Sequence, residues 1–301
     1  MTTPDTPFIS VIIPTFNRIA LLRETVESVR NQTFRDFEII VVNDGSTDGT
    51  SDWLRSQRDL RVIEQENRGI AASRNRGASV ARAPWLAFLD HDDLWAPEKL
   101  ERQARFVQDN PDVALVAVRH VPLGKKFRTP SAPQWVKGDL FLRAYAESFI
   151  HTSTVLIRAD VFSEIQGFPT SYRFADEFHV WLTIAASYPI AYYDEPLVFI
   201  RLYEANTSHN RLGVRTETED ILRKHYDPDR IPYEVFLRVM SDHDISYGRA
   251  YLRAGELREA VKCFKKSVER TPYRARSWRY YLKYRLALAL GWKPQKANNV
   301  P

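Results

Sequence analysis

The chain has 301 residues, of which 44% are hydrophobic, so it can bury a sizeable core and a largely disordered protein is not expected. Its longest apolar runs, such as FEIIVVN and WLAFL, fall well short of the roughly 20 residues that cross a bilayer, which argues against a membrane-spanning protein. The formal net charge of +5 conceals an asymmetry, because residues 211–301 hold 20 Lys and Arg against 11 Asp and Glu, whereas residues 1–210 hold 23 against 27.

The first hundred residues alternate between predicted strands and helices. Short runs rich in β-branched residues predict strands at residues 8–14 and 37–44, with a helical pattern between them. The same order recurs with strands at residues 61–65 and 85–90. Continuous apolar runs suit strands that are covered on both faces, and the intervening lengths permit crossover connections. The sequence therefore predicts an α/β fold, a doubly wound and mostly parallel sheet with helices on both faces.

The next part of the chain is less regular. Strands are predicted at residues 112–118 and 153–158, and a short helix should end at Gly167. A longer helix is predicted for residues 176–188, where Trp181 lies on the apolar face. Residues 122–150 show no clear pattern.

The C-terminal part is helical and basic. We place a domain boundary between residues 1–211 and 212–301, and we expect the two parts to meet different partners because their net charges differ in sign. Within residues 247–272, a helix, an Ala-Gly pair and a second helix that ends at a proline resemble one tetratricopeptide-like hairpin.

Several acids follow the predicted strands of the first half. Asp44 comes after the second strand, and Asp90, Asp92 and Asp93 come after the fourth. Ligands of open parallel sheets bind beyond the carboxyl ends of the strands, and carboxylates that converge there need a cation. Oxygen ligands favour Mg²⁺ or Mn²⁺, which bridge to substrate phosphates, so a divalent metal site that receives a diphosphate is predicted. Alternatively, Asp92 or Asp93 caps the helix that begins near Pro97, and Asp44 serves its own turn.

Five segments occur in the order and spacing typical of one protein family. They are SVIIPTFNR, DFEIIVVNDGSTDGT, NRGIAASRNRGA, WLAFLDHDD and DEFHVWL. The chain thus resembles family 2 glycosyltransferases, which are inverting enzymes with the GT-A fold. The resemblance covers roughly residues 8–205 and implies that residues 1–211 form a GT-A catalytic domain.

The resemblance implies a site for a nucleotide sugar, most often a UDP-sugar. Pro14, Thr15 and Asn17 match the first nucleotide loop. Asp44 matches an acid that accepts a hydrogen bond from the uracil ring. Arg74 matches a basic residue near the nucleotide, with an exposed helical arginine as the alternative.

The same resemblance implies a metal site with Mn²⁺ or Mg²⁺ as the cofactor. Asp90 and Asp92 match the two acids of the DxD motif, the first near the ribose and the metal and the second a direct metal ligand. A bound cation stabilises the negative charge that develops on the departing diphosphate.

The general base is predicted in the helix that contains Trp181. An acceptor hydroxyl attacks the anomeric carbon, and a carboxylate within hydrogen-bond reach removes its proton. The family usually has Glu-Asp four and five positions before the tryptophan, whereas this chain has Asp176 and Glu177 in swapped order. By alignment Glu177 is the candidate base, and Asp176 is the alternative.

Other positions depart from the family pattern or are open. Many relatives have a histidine two residues after the arginine that matches Arg201, but this chain has Tyr203, and His209 is a candidate substitute. Arg201 either faces the diphosphate or forms a structural salt bridge. His151 and Trp135 are candidates for the acceptor cleft.

The last residues suggest a partner for the C-terminal region. Residues 273–301 combine Lys and Arg with Trp and Tyr and contain no acid, which suits a helix on an anionic membrane surface. A solvated basic helix or a nucleic-acid strip would look similar, and we expect no nucleic acid. The N-terminus MTTPDTP lacks a basic-then-apolar leader, and Cys263 is the single cysteine, so a cytoplasmic location at the inner face of the cell membrane is expected.

Taken together, these features predict an inverting, metal-dependent glycosyltransferase. It would move a sugar from a UDP-sugar to a hydroxyl of a glycan or lipid-linked acceptor, in the assembly of a cell-surface polysaccharide or glycolipid. A nucleotidyltransferase would need a basic triphosphate loop, and PTFNRIALL offers only Arg18. A non-catalytic scaffold that binds nucleotide sugars is the other alternative.

Overall fold

A computed structural model describes residues 6–125, 132–147, 149–173, 175–202, 211–292 and 294. By internal contacts the chain divides into two compact units, Met1–Asn206 and Thr207–Pro301. Within the described residues, none of the helices is long and apolar enough to cross a membrane.

The described part of the first unit contains nine strands that form one sheet. They are β1 (Ile9–Thr15), β2 (Phe37–Asp44), β3 (Leu60–Gln65), β4 (Trp85–Phe88), β5 (Leu94–Trp95), β6 (Leu115–Pro122), β7 (Trp135–Gly138), β8 (Val155–Arg158) and β9 (Ile190–Ile200). Their order in the sheet is β3-β2-β1-β4-β8-β6-β9-β5, and β7 also pairs with β9.

The described part of the first unit also contains seven helices. They are α1 (Ile19–Arg30), α2 (Thr50–Arg55), α3 (Ile70–Val80), α4 (Lys99–Asp109), α5 (Phe141–Glu147), α6 (Ala159–Glu164) and α7 (Asp176–Ser187). A short 3₁₀ helix, Thr152–Thr154, precedes β8. The second unit contains α8 (Arg211–Lys224), α9 (Tyr233–Arg253), α10 (Leu257–Arg270) and α11 (Ala275–Ala289).

The predicted α/β fold is confirmed, and the sheet is mixed. Strands β3, β2, β1 and β4 are parallel, as are β6 and β9. Strand β8 runs antiparallel to β4 and β6, and β5 and β7 run antiparallel to β9. Because β1, β2 and β4 point the same way, their carboxyl ends meet at one edge of the sheet.

The core of the first unit lies against the parallel strands. Every residue of β1 and of β4 is buried, as expected for strands with helices on both faces. Helix α3 packs so closely that a Cβ atom at Gly77 would lie 2.4 Å from the Cγ2 atom of Ile12. A glycine at this position therefore lets α3 approach β1.

Three strands of the sheet, β5, β7 and β9, were not predicted. Residues 122–150, where no pattern was found, contain β7 and α5, and the eleven-residue strand β9 follows α7. The β9 segment IAYYDEPLVFI mixes two acids and a proline with apolar residues, so it lacks the alternation of a typical strand. Its register with β6 shifts around Arg119, which is typical of a β-bulge.

The second unit is helical, as expected. Helices α9 and α10 are joined around Gly255, which adopts a φ of 84°. At Gly248 a Cβ atom would lie 2.3 Å from the Phe264 ring, so the close contact of the two helices requires a glycine. Tyr280 and Tyr284 of α11 stack on the same ring at 5.2 and 5.3 Å.

Candidate active site

Asp44 organises the loop that follows β3. Its Oδ1 accepts hydrogen bonds from the Gln65 side chain at 2.7 Å and the Arg68 backbone N–H at 2.8 Å, and its Oδ2 accepts one from the Gly69 backbone N–H at 2.9 Å. The alternative that Asp44 serves its own turn is wrong, because these partners lie at the end of β3 and in the loop that follows it. The carboxylate is thus fixed at the carboxyl edge of the sheet, where it can accept a further hydrogen bond from a ligand.

The predicted first nucleotide loop lies beside it. Asn17 adopts a φ of 50°, which asparagine tolerates, and its Oδ1 accepts a hydrogen bond from the Thr47 backbone N–H at 2.7 Å. Its own N–H donates to Ser46 Oγ at 2.9 Å, so the loops after β1 and β2 hold each other. The Oγ1 of Thr15 is buried and has no hydrogen-bond partner among the described residues. A buried hydroxyl of this kind is available to a ligand.

Hydrogen bonds from α1 stabilise the turn that follows β4. Thr25 of α1 donates its hydroxyl to the backbone carbonyls of His91 and Asp93, at 2.8 and 2.9 Å. The His91 ring nitrogen Nδ1 lies 3.2 Å from the backbone carbonyl of Pro14, so this turn contacts the first nucleotide loop. Pro14, Asp44 and the aspartates of this turn therefore lie at the same edge of the sheet.

Asp93 has a structural role. Its Oδ2 accepts a hydrogen bond from Ser153 Oγ at 2.6 Å, and its Oδ1 accepts one from the Arg201 backbone N–H at 3.3 Å. Helix α4 begins at Lys99 without a side-chain cap, so the capping alternative is wrong. Burial raises the pKa of Asp93 to about 7, although the nearby His151 lowers it.

Arg74 joins two parts of the site. Its side chain is 4% exposed, and its guanidinium lies 2.7 Å from Asp90 Oδ1 and 3.4 Å from Asp176 Oδ2. The alternative of an exposed arginine is therefore wrong. Burial opposes ionisation of Asp90, but the charges of Arg74 and of His151 hold its pKa below the ordinary value. Arg74 thus brings the DxD turn and the start of α7 together, and its contact with Asp176 spans 102 positions of the chain.

Asp176 and Glu177 open α7 and differ in environment. The Asp176 side chain is 6% exposed and faces Arg74. Burial raises its pKa to about 6, and the charge of Arg74 opposes this rise. Glu177 is partly exposed, and its Oε2 accepts hydrogen bonds from the Thr152 hydroxyl and, at 3.2 Å, from the Thr152 backbone N–H.

Sequence reasoning missed several residues near Glu177. Thr152 and Ser153 belong to the 3₁₀ helix, and His120 of β6 lies with its ring centroid 5.3 Å from that of His151. Burial, together with the electrostatic effect of the neighbouring His151, lowers the pKa of His120 to about 4. The available signal was the polar segment HTST directly before a strand, which is weak by itself.

Trp135 and Arg201, two further candidates from the sequence, both contact other residues of the first unit. Trp135 is sandwiched between the rings of Phe106 and Tyr193, at centroid distances of 3.9 and 4.6 Å, so its predicted place in an acceptor cleft is not observed. Arg201 forms a salt bridge with Glu24 at 2.6 Å and donates to the Asp92 backbone carbonyl at 3.2 Å. Tyr203 and His209 lie outside the described residues.

The carboxylates of the DxD turn are candidate ligands for a divalent metal. Among the described residues, no group of three or more His, Cys, Asp or Glu side chains could hold a metal ion. Asp90 and Asp92 are two carboxylates on one turn, and the pKa of Asp90 favours its ionised form. Mg²⁺ and related hard cations bind through one or two carboxylates together with substrate phosphates and water. The residues therefore fit a cation that a diphosphate helps to hold.

Comparison with protein families gives a match over half of the chain. The model described as glycosyl transferase family 2 matches residues 10–166. The uncharacterized glycosyltransferase RP339 of Rickettsia prowazekii is 30% identical over 224 residues, which cover 71% of this chain and 70% of that protein. The putative teichuronic acid biosynthesis glycosyltransferase TuaG of Bacillus subtilis is 30% identical over 230 residues, or 72% of this chain and 88% of that protein.

Solved structures share the fold. Staphylococcus aureus TarS 1-349 in complex with UDP has a TM-score of 0.66 at 16% identity, over 94% of this chain and 91% of that one. The mannosyltransferase PcManGT of Pyrobaculum calidifontis, in complex with GDP-Man and Mn²⁺, has a TM-score of 0.61 at 21% identity, over 95% of this chain and 87% of that one. At these identities the likeness concerns the fold alone, and it agrees with the predicted GT-A architecture.

Proposed function

Because the chain belongs to glycosyl transferase family 2, as its sequence predicted, we propose that it is an inverting, metal-dependent enzyme that uses a nucleotide-sugar donor. The donor is a UDP-sugar, and the acceptor is a hydroxyl of a glycan or a lipid-linked saccharide. One observation carries the proposal: buried Arg74 pairs with both Asp90 and Asp176, so the candidate metal turn and the start of α7, where Glu177 follows Asp176, share one site. TuaG, named for teichuronic acid biosynthesis, supports a role in cell-surface polysaccharide or glycolipid assembly.

The residues at the carboxyl edge of the sheet bind the donor in this proposal. Asp44 accepts a hydrogen bond from the uracil ring, and the Thr15 hydroxyl supplies a polar contact that no described residue satisfies. Pro14 and Asn17 shape the loop against which the base and ribose rest. The complexes of TarS with UDP and of PcManGT with GDP-Man support nucleotide binding at this fold.

Arg74 supports this site as a buried residue. Since it is buried and engaged by two carboxylates, it orients Asp90 and the start of α7 near the nucleotide. Asp90 and Asp92 would hold Mn²⁺ or Mg²⁺ together with the diphosphate. When bound, the cation would stabilise the negative charge on the departing diphosphate.

Glu177 is the general base in this proposal. It is partly exposed, whereas Asp176 is buried and paired with Arg74, so Glu177 is the carboxylate that an acceptor hydroxyl can reach. The base removes the proton from the hydroxyl as its oxygen attacks the anomeric carbon on the face opposite the diphosphate. A single displacement of this kind inverts the configuration at that carbon.

The first experiment measures UDP binding and UDP release. Calorimetric titration of UDP should show binding that depends on Mn²⁺ in the wild type and that is lost in Asp92→Ala. Glu177→Gln should retain this binding but release UDP from a UDP-sugar about 10²- to 10⁴-fold more slowly, because a general base typically contributes this factor. Asp176→Asn is the matched variant and should keep more activity than Glu177→Gln.

The outcomes separate the alternatives. Nucleotide binding without any transfer would favour a scaffold that binds nucleotide sugars. If UDP did not bind but a GDP- or dTDP-sugar did, the donor would be that nucleotide sugar and not a UDP-sugar. Near-normal release of UDP by Glu177→Gln would remove Glu177 from the role of base.

We also propose that residues 273–301 bind an anionic membrane surface at the cytoplasmic face. Trp278, Leu282, Leu286 and Leu290 recur at every fourth position, and they form an exposed row along α11. The row lies opposite Tyr280 and Tyr284, which pack on the α9 and α10 hairpin. Arg279, Lys283 and Arg285 flank it, and no acid occurs in this segment.

Sedimentation with vesicles tests this surface. The full chain should bind vesicles that contain phosphatidylglycerol and should not bind vesicles of phosphatidylcholine alone. The Leu282→Glu/Leu286→Glu double variant should lose binding, whereas Leu142→Glu, an exposed leucine in the first unit, should retain it. Equal vesicle binding by the wild type, the double variant and Leu142→Glu would refute the proposal. Binding of the full chain to RNA and not to the vesicles would favour a nucleic-acid strip.

A further inference from the structure

One short segment contacts both halves of the candidate site. Within the 3₁₀ helix, Thr152 donates its hydroxyl and its backbone N–H to Glu177 Oε2. The next residue, Ser153, donates its hydroxyl to Asp93 Oδ2 at 2.6 Å and accepts a hydrogen bond from the Asp90 backbone N–H at 3.2 Å. The candidate base and the candidate metal turn therefore take their positions from adjacent residues.

The segment is itself held firmly. His151 and Thr154 form a reciprocal capping box, and all three residues of the 3₁₀ helix are buried. Gln103 of α4 donates to the Thr154 backbone carbonyl at 2.9 Å, and Trp95 Nε1 donates to the Ser153 carbonyl at 2.7 Å. These contacts come from separate elements, so the backbone at Thr152 has little freedom.

The bonds to Glu177 leave one carboxylate oxygen available. Both end on Oε2, and Oε1 accepts no hydrogen bond from the described residues. Glutamate has three side-chain torsions, and holding one oxygen fixes the direction of the other. Thr152 is β-branched and buried, so its hydroxyl has a restricted orientation.

We propose that Thr152 is a positioning residue that aims Glu177 Oε1 at the acceptor hydroxyl. The inference rests on the proposed function, because it assigns Thr152 a role through Glu177. Thr152 makes no contact with the donor in this scheme. Its loss should therefore slow the transfer step and leave donor binding intact, since a displacement of about 1 Å at a reacting group can cost about 100-fold in rate.

The test compares Thr152→Val with Thr152→Ser. The assay is UDP release with water as acceptor, in Mn²⁺, from whichever of UDP-glucose, UDP-galactose, UDP-GlcNAc and UDP-GalNAc the wild type hydrolyses fastest. Thr152→Val, which keeps the shape and the backbone N–H but lacks the hydroxyl, should lower kcat about 100-fold and leave the donor KM and the UDP Kd within about twofold. Thr152→Ser should restore kcat to within about threefold of the wild type.

Two further variants isolate the role. Thr183→Val is a matched control, because the Thr183 hydroxyl donates only to the His179 backbone carbonyl within α7 at 2.8 Å, and it should behave as the wild type. In the Glu177→Gln background, Thr152→Val should cause no further loss, since the two residues act as one unit. Thermal unfolding of each variant reports whether it is folded.

Each contrary outcome is informative. Wild-type kcat in Thr152→Val, or equal losses in Thr152→Val and Thr152→Ser, would overturn the role of the hydroxyl. A parallel loss of UDP affinity would assign Thr152 to the structure of the site. If the wild type released no UDP from any donor, the proposed function itself would fail, and the inference would fail with it. If the wild type and Thr152→Val were equally active while Glu177→Gln was inactive, only the inference about Thr152 would be overturned.

Discussion

Removal of the Arg74 charge is the sharpest test of how the site is held together. Arg74→Met keeps an unbranched apolar stem but leaves the carboxylates of Asp90 and Asp176 without their cation. Breaking a buried ion pair from one side costs about 3–5 kcal/mol, because the remaining charge is left uncompensated. For a unit of this size, we expect the melting temperature to fall by about 6–20 °C.

Most of this penalty should come from Asp176. Its side chain is 6% exposed, whereas that of Asp90 is 20% exposed and retains some solvation. The folded-state pKa of Asp176 is raised to about 6, and loss of Arg74 removes a charge that lowers it, so the pKa should rise further. A carboxyl with a raised pKa causes no penalty below its ordinary pKa, and the penalty grows as the pH rises towards the folded-state pKa. The deficit of Arg74→Met should therefore be larger at pH 7 than at pH 5.

Thermal unfolding followed by tryptophan fluorescence measures this effect. Five of the seven Trp residues lie in the first 206 residues, so the signal reports mainly on the first unit. The Arg74→Met/Asp176→Asn double variant should recover much of the lost stability. Arg55→Met, which removes an arginine that is 69% exposed and paired with Asp52, should change the unfolding free energy by less than about 0.5 kcal/mol. A melting temperature of Arg74→Met equal to that of Arg55→Met, or a deficit that Asp176→Asn does not relieve, would refute this reasoning.

Three further predictions follow from single residues. Asp176→Asn should gain stability relative to the wild type by about 2.4 kcal/mol between pH 4 and pH 7, because the raised pKa of Asp176 costs stability as the pH rises. Urea titrations at both pH values measure the difference in unfolding free energy, and a difference that does not change with pH would contradict the prediction. Gly248→Ala should destabilise the second unit by about 1–3 kcal/mol, because its Cβ would overlap the Phe264 ring. A melting temperature equal to that of the wild type, followed by far-UV circular dichroism, would exclude this overlap. Asp44→Ala should weaken UDP binding about tenfold or more, because the backbone N–H groups of Arg68 and Gly69 lose the carboxylate that accepts their hydrogen bonds. An unchanged affinity for UDP, measured by calorimetry, would contradict a role of Asp44 in nucleotide binding.

Much of the fold could be predicted from local pattern. The continuous apolar runs of β1, β2 and β4 have few alternatives to buried parallel strands, and the acids that follow them must then meet at one edge. Strand β9 was missed because its side chains do not alternate and because its pairing with β6 depends on a bulge. In that strand the tertiary context outweighs the local preference.

The chemistry of the site could be predicted by residue type but not by partner. Asp90, Asp92, Asp176 and Glu177 stand out because acids next to apolar runs are rare and because their spacing resembles that of a family. Nothing local distinguishes Arg74 from an exposed helical arginine, or Thr152 from an ordinary strand-flanking threonine. Their roles depend on atoms from distant segments.

The sequence by itself determined which side chains stand at the carboxyl ends of the strands, because strand periodicity follows locally from residue type and the lengths between the strands favour crossover connections. Only the tertiary structure decided which of them are buried and paired. Arg74 meets Asp176 across 102 positions, and Thr152 meets Glu177 across 25. Burial and hydrogen bonding set whether a carboxylate is fixed, neutral or free to react, and both arise from packing between segments that are remote in the chain.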